Sequence, residues 1–294
     1  MKKNILLLSL ALLLVLVGCS NDNTTTSEEV ETTTETQVED TTEEVTEETE
    51  ETNEELTKVV IGTSPTPHGE IVEGLSEEFK NAGIEIEVVN FDDYIQPNLA
   101  LADGDLDLNF FQHVPYLETF SEEHNLELEV LGQVHVEPLA LYSDKYDSVE
   151  DIPEGSEILI PNDPTNGARA LLLLKQEGII ELSDPSDINA TEEDITSNPK
   201  NLTFTALDAA NIARTYTDVD GGIINANFAI DAGLNPTEDG LIVEGDQSPY
   251  ANVVVSRSGE ETNEIYLKVI EVLNSDAARE FIETEYEGNI KPVF

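Results

Sequence analysis

Cysteine is nearly absent from this 294-residue chain, which has one, Cys19. A lone thiol excludes a disulfide framework and any cysteine-based metal site. Basic residues are scarce too, with 13 Lys and Arg against 63 Asp and Glu and a formal net charge of −50. That balance makes nucleic acid and anionic membrane surfaces poor partners. No Gly-x-Ser-x-Gly, His-Glu-x-x-His, P-loop or Gly-x-Gly-x-x-Gly pattern occurs. Nucleophilic hydrolysis, zincin chemistry and nucleotide cofactors therefore have no motif to rest on, and no cofactor is expected.

Long apolar runs are also rare. The main one extends from Ile5 to Val17, broken only by Ser9, preceded by Lys2-Lys3 and closed by Leu16-Val17-Gly18-Cys19. It is too short to span a bilayer, and a small residue before a cysteine suits a peptidase that cuts after the thiol is lipidated. Residues 1–19 are therefore expected to be a lipoprotein signal peptide, with Cys19 carrying a diacylglycerol thioether. Buried acyl groups contribute roughly 0.8 kcal/mol per CH₂, enough for several chains to hold a soluble domain at the extracytoplasmic face of the cell membrane. From Ser20 to Thr57 there are 15 acidic residues, no basic one and three isolated valines. Such a segment buries too little apolar surface to offset its ordering entropy, so residues 20–58 read as a disordered, self-repelling tether.

The stretch from Val59 to Phe294 keeps 48 of the acidic and 10 of the basic residues. Its opening reads strand, helix, strand: Val59-Val60-Ile61, then Pro67 to Lys80 with apolar spacing at Ile71, Leu75 and Phe79, then Ile84, Ile86 and Val88 in alternation. This is a βαβ unit, hence a parallel sheet. Further strands are expected at Leu106 to Phe110, Ser156 to Ile160 and Gly221 to Asn225, with a helix from Ala168 to Glu177. Glu137 to Ser143 and Tyr250 to Arg257 read as long strands able to cross between lobes. The fold class expected is α/β, two-lobed, with residues 59–138 and 246–294 in lobe 1, residues 139–245 in lobe 2, and a ligand cleft between them.

Four loops that follow strands carry unusual side chains. "TSPTPHGE" offers His68, "NFFQHVPY" offers Phe110, Phe111, Gln112 and His113, "PNDPTNGAR" offers Asn162, Asn166 and Arg169, and "IINANFA" offers Asn225 and Asn227. An amino-acid zwitterion needs a cation for its carboxylate, acceptors for its ammonium and a slot for its side chain, and these loops hold all three. Arg169, read as lying in the first turn of its helix, has an alternative in an ion pair with a carboxylate. Phe110 and Phe111, adjacent in a strand, point to opposite faces, which favours Phe111 with His113 on the cleft side. His68, His113 and His135 with a carboxylate are an alternative metal set, and His113 an alternative general base.

At these loops the sequence resembles the NlpA-type methionine-binding lipoproteins, the solute-binding components of D,L-methionine ABC importers. The matching segments include "PHGEIVE", "FDDYIQPNLALADGDLDLNFFQHVPYL", "VHVEPLALYS", "IPNDPTNGARALLLL", "INANFAIDAGLNP" and "SPYANVVVSR". The resemblance implies a two-lobed periplasmic-binding-protein (type II-like) fold with a hinge, and no catalysis. It implies a monomer that takes L-methionine, with D-methionine, a Met-containing dipeptide or another apolar amino acid left open, and passes it to an ABC permease and its ATPase. Carried over, Arg169 clamps the ligand carboxylate, Asn225 holds backbone groups with help from Asn166, and Tyr94, Phe111 and His113 wall the thioether pocket. His68, Phe110, Gln112, His135 and Asn227 lie in the matching loops.

Overall fold

The computed structural model describes residues 56–245 and 249–294. The signal peptide, Cys19 and nearly all of the expected tether lie outside the described residues. Along the chain the strands are β1 Thr57–Thr63, β2 Ile84–Asn90, β3 Leu108–His113, β4 Leu128–Val136, β5 Ala140–Tyr142, β6 Glu157–Pro161, β7 Glu181–Leu182, β8 Ile195–Ser197, β9 Thr203–Leu207, β10 Gly221–Ile224, β11 Ile242–Val243, β12 Ala251–Arg257 and β13 Lys291–Pro292.

Two sheets dominate. The first has the order β13-β4-β12-β3-β1-β2 and the second the order β11-β5-β10-β6-β9. β1 runs parallel to both β2 and β3, as the opening βαβ pattern predicts, while β12 pairs antiparallel with β3 and β4. In the second sheet β6 runs parallel to β9 and β10, and β5 antiparallel to β10 and β11. The chain passes from the first sheet to the second between Val136 and Ala140 and returns between Val243 and Ala251.

Each sheet has its own apolar core, as two separately packed lobes require. Ile61, Phe79, Phe110, Val254 and Ile282 belong to the first, and Leu141, Ile158, Leu174 and Ile223 to the second. No helix among the described residues is long and apolar enough to cross a membrane.

Four local expectations change. The strand at Tyr250 to Arg257 does not cross between lobes, since β12 pairs only with β3 and β4 of the first sheet. The apolar run at Glu137 to Ser143 is not one strand crossing between lobes, because pairing stops at Val136 and resumes at Ala140 in the other sheet. Pro138 has no N–H to donate to a ladder, and the break falls on it. The helix expected from Pro67 to Lys80 divides into Glu70–Gly74 and Ser76–Asn81 at Leu75. The helix expected from Ala168 starts four residues earlier and runs Pro164–Gln176.

Gly222 shows how tightly the second sheet carries the loop that follows β10. A Cβ there would lie 2.8 Å from the Cβ of Tyr216 and 2.9 Å from Cγ2 of Ile212. These atoms sit close to the backbone and cannot swing aside. Gly222→Ala is expected to cost about 1–3 kcal/mol in urea unfolding, with an unchanged denaturant slope.

Candidate functional site

β3 shows how strand alternation builds one wall. Phe110 points into the first core, while Phe111, on the opposite face, packs near Tyr94 and Tyr116 with ring centroids 6.0 and 6.2 Å away. Gln112 is held by Asn98, which accepts from its Nε2 at 2.7 Å and donates to its Oε1 at 2.8 Å. His113 ends β3 and caps the helix Val114–His124, its Nδ1 accepting the Tyr116 N–H at 3.2 Å. Nδ1 is therefore unprotonated, so Nε2 carries the hydrogen and donates to Asn166 Oδ1 at 3.2 Å. Burial, then the nearby Arg169 charge, push the His113 pKa down to about 3, in keeping with a neutral ring.

The opposite wall comes from the second lobe. Asp163 caps the helix Pro164–Gln176 by accepting the Asn166 N–H at 2.8 Å, and Pro164 suits the first helical position. Arg169 consequently stands in the second turn, not the first, and the helix N–H groups are not its partners in an anion site. Asn166 donates its amide N–H to Asp163, while its Oδ1 accepts from His113 and from Asn225 Nδ2 at 2.9 Å. It thereby ties the two lobes together. Asn225 caps no N–H with its side chain, and its Oδ1 is buried with no hydrogen-bond partner. Asn227 accepts from the Tyr94 hydroxyl at 2.5 Å, a second link between lobes.

Arg169 is only 4% exposed. Its Nη2 donates to the Glu137 carbonyl at 2.7 Å, its Nε donates to Glu244 Oε1 at 3.0 Å, and Nη2 also bonds Glu244 Oε2. The Tyr250 ring lies 4.3 Å from the guanidinium carbon. The carboxylate that pairs with this arginine is thus Glu244, on the segment returning to the first lobe, and it is largely buried. Nη1 has no hydrogen-bond partner among the described residues.

A small cavity lies between these walls. Tyr94, Phe111, His113, Asn166, Arg169, Asn225 and Asn227 all line it, as does Gln112. His68 and Phe110 do not; both are buried behind the wall. Four lining residues escaped the sequence reading: Tyr116, Glu137, Ala226 and Asn252. Glu137 had a visible signal, being the one acid in the otherwise apolar or aromatic run "VHVEPLALY". Tyr116 and Asn252 had none, since an aromatic in a helix and an amide in a strand are ordinary.

Glu137 is gripped from behind. Its Oε1 lies 2.7 Å from His135 Nε2 and 3.1 Å from His68 Nε2, which also faces Asn252 Oδ1 at 3.0 Å. Each Nε2 faces acceptors, so both rings donate from it, leaving each Nδ1 buried and unpartnered. Burial drives the His68 pKa down to about 4. Burial opposes the charge on Glu137, but His68, the His135 hydrogen bond and Arg169 outweigh it and hold the carboxyl below the usual glutamate value. His68, His135 and Glu137 place their donor atoms within 4.8 Å of one another, a spacing that a divalent cation could use. His113, grouped with them in the sequence reading, is instead committed to Tyr116 and Asn166.

A cavity between two α/β lobes, with bonds reaching across it and the polar groups of an ion pair beside an aromatic wall, defines a two-lobed solute-binding protein. Its family follows from comparison with known proteins: the chain belongs to the NlpA lipoprotein family, whose pattern it matches over residues 59–294. Membrane lipoprotein TpN32 of Treponema pallidum (strain Nichols) is 43% identical over 230 residues, covering 78% of this chain and 86% of that protein. Methionine-binding lipoprotein MetQ of Bacillus subtilis (strain 168) is 38% identical over 241 residues, covering 80% and 88%. The solved structure of a nutrient-binding protein from Burkholderia cenocepacia bound to methionine is 37% identical, with a TM-score of 0.78, covering 80% of this chain and 100% of the other.

Proposed function

We propose that this protein captures methionine between its lobes and delivers it to an ABC permease driven by an ATPase. The observation that carries this reading is one cavity lined by Arg169, by Asn225 with its unpartnered Oδ1, and by an aromatic wall. The methionine-bound B. cenocepacia relative supports the same ligand. Arg169 takes the α-carboxylate, Asn225 accepts an amine N–H, and Tyr94, Phe111 and Tyr116 surround the thioether. Sulfur against aromatic edges contributes roughly 0.3–1.5 kcal/mol per contact, which favours methionine over leucine modestly. His113 and Asn166 hold the lobes in register through their mutual bond.

In this reading residues 59–138 and 246–294 form one moving lobe, residues 139–245 the other, and the crossing segments serve as hinges. Ligand favours the closed state through contacts that both lobes share. Cys19 is lipidated, residues 20–58 are the tether, and the protein works as a monomer on the extracytoplasmic face of the membrane. No reaction is catalysed. Calorimetry on protein freed of carried-over ligand tests this with L-methionine, D-methionine, Gly-Met and leucine. L-Methionine is expected to bind tightest, and absence of heat with every methionine compound overturns the reading.

A further inference from the structure

We propose that Glu137 is the counter-ion for the ligand's ammonium group, presented to the cavity by His68 and His135. This rests on the amino-acid reading above and names the residue that decides whether a ligand must carry a free amine.

The charges around the cavity are unequal. Arg169 is already matched by Glu244 through two of its nitrogens. Asn166, Asn225, Asn227, Gln112 and Asn252 are neutral amides, and the His113 ring is neutral. Glu137 adds a further carboxylate, 6% exposed, to a wall that is otherwise balanced. The imidazole N–H groups solvate this carboxylate as hydrogen-bond donors, and a buried charge without a counter-charge is costly. An α-ammonium brings that charge and three N–H donors.

The directions of the bonds agree. Both histidine contacts fall on Oε1, and Oε2 has no hydrogen-bond partner among the described residues. Asn225 Oδ1, also unpartnered, supplies a second acceptor in the same wall. The clamp is braced by Phe110, whose ring centroid lies 4.7 Å from His68 and 5.3 Å from His135, edge-on to both. His68 and Phe110 thus act on the ligand through Glu137 without lining the cavity. Glu137 also gives its carbonyl to Arg169, so one residue of the crossing segment adjoins the readers of both ligand charges.

The test compares L-methionine with 4-(methylthio)butanoate, which lacks only the amine, by calorimetry on the purified full chain. Wild type is expected to prefer methionine by about 100-fold or more, and Glu137→Gln to weaken methionine about 30-fold while leaving the butanoate within about threefold. The glutamine keeps an oxygen for the histidine N–H groups, and urea unfolding checks that the variant is folded. His135→Leu, which removes one donor, is expected to weaken methionine about tenfold with the butanoate unchanged, and His135→Gln to restore it. These two variants carry the test if Glu137→Gln does not fold.

Equal loss of both compounds in Glu137→Gln makes Glu137 merely structural, and an unchanged methionine affinity places the ammonium elsewhere. Either outcome overturns the assignment. So does stoichiometric Zn²⁺ binding that Glu137→Gln abolishes and methionine blocks, since the three residues then form a metal site. A wild type that binds no methionine compound overturns the methionine reading itself, an outcome distinct from bound methionine with an unchanged preference ratio.

Discussion

Replacing Arg169 with alanine is expected to weaken methionine binding by about 100-fold or more, because a charge-assisted pair buried away from water is lost without replacement. The effect does not stop at the ligand. Arg169 is 4% exposed and its partner Glu244 has a side chain only 12% exposed. Breaking such a pair from one side leaves an uncompensated buried charge, which costs about 3–5 kcal/mol. The Glu137 carbonyl loses a donor as well. The variant should therefore be both binding-deficient and less stable.

The two effects separate in a second variant. Glu244→Gln removes the orphaned charge, so Arg169→Ala with Glu244→Gln is expected to regain about 2 kcal/mol or more of stability over Arg169→Ala alone. Methionine affinity in the double variant should stay as low as in the single one. Chemical unfolding and calorimetry on the same samples measure both. A loss of affinity below tenfold in Arg169→Ala, or a double variant that recovers binding along with stability, would show that the arginine serves the fold and not the carboxylate.

Much of this architecture was legible because it follows from period and punctuation. The alternation of Ile84, Ile86 and Val88 after a helical spacing specifies β1, a helix and β2 in parallel, and the pairing of β1 with β2 is the result. The opposed directions of Phe110 and Phe111 follow from the pleat, and one enters the core while the other lines the cavity. Arg169 and Asn225 could be singled out because strand-end loops converge in such folds. What escaped depended on tertiary partners. Asp163, and not Asn162 or Asn166, is the helix cap, and that choice among neighbouring polar residues shifts the start of the helix and moves Arg169 to its second turn. Glu244 lies 75 residues from Arg169 in sequence, and nothing local marks it among so many acids. The Glu137 clamp joins residues 68, 135 and 137 with Asn252 from β12, a constellation that exists only after the first sheet has formed.

Lowering the pH from 7 to 5 is expected to remove about 3–4 kcal/mol of stability, through two histidines held neutral by burial. The His68 pKa falls to about 4 and that of His113 to about 3, each from an ordinary value of 6.5. Desolvation is the leading cause for both, with the Arg169 charge adding to it at His113. Since the folded values lie below the unfolded one, the unfolded chain takes up protons first as the pH falls through 6.5. Stability is thus fully present above that value and declines toward pH 4 for His68 and pH 3 for His113. Two protons taken up on unfolding give a slope of about 2.7 kcal/mol per pH unit once the unfolded histidines are fully protonated. Among the carboxyls, Glu137 adds to the loss only below its ordinary value of 4.5, while burial raises Asp163 and makes it oppose the loss. From pH 6.5 to 5 the loss comes from the histidines. Urea unfolding at pH 7, 6 and 5 measures the slope, and His113→Gln, whose amide can still donate to Asn166, is expected to halve it. A midpoint that stays flat from pH 7 to 5 would mean that the two rings take up protons in the folded protein as readily as in the unfolded chain.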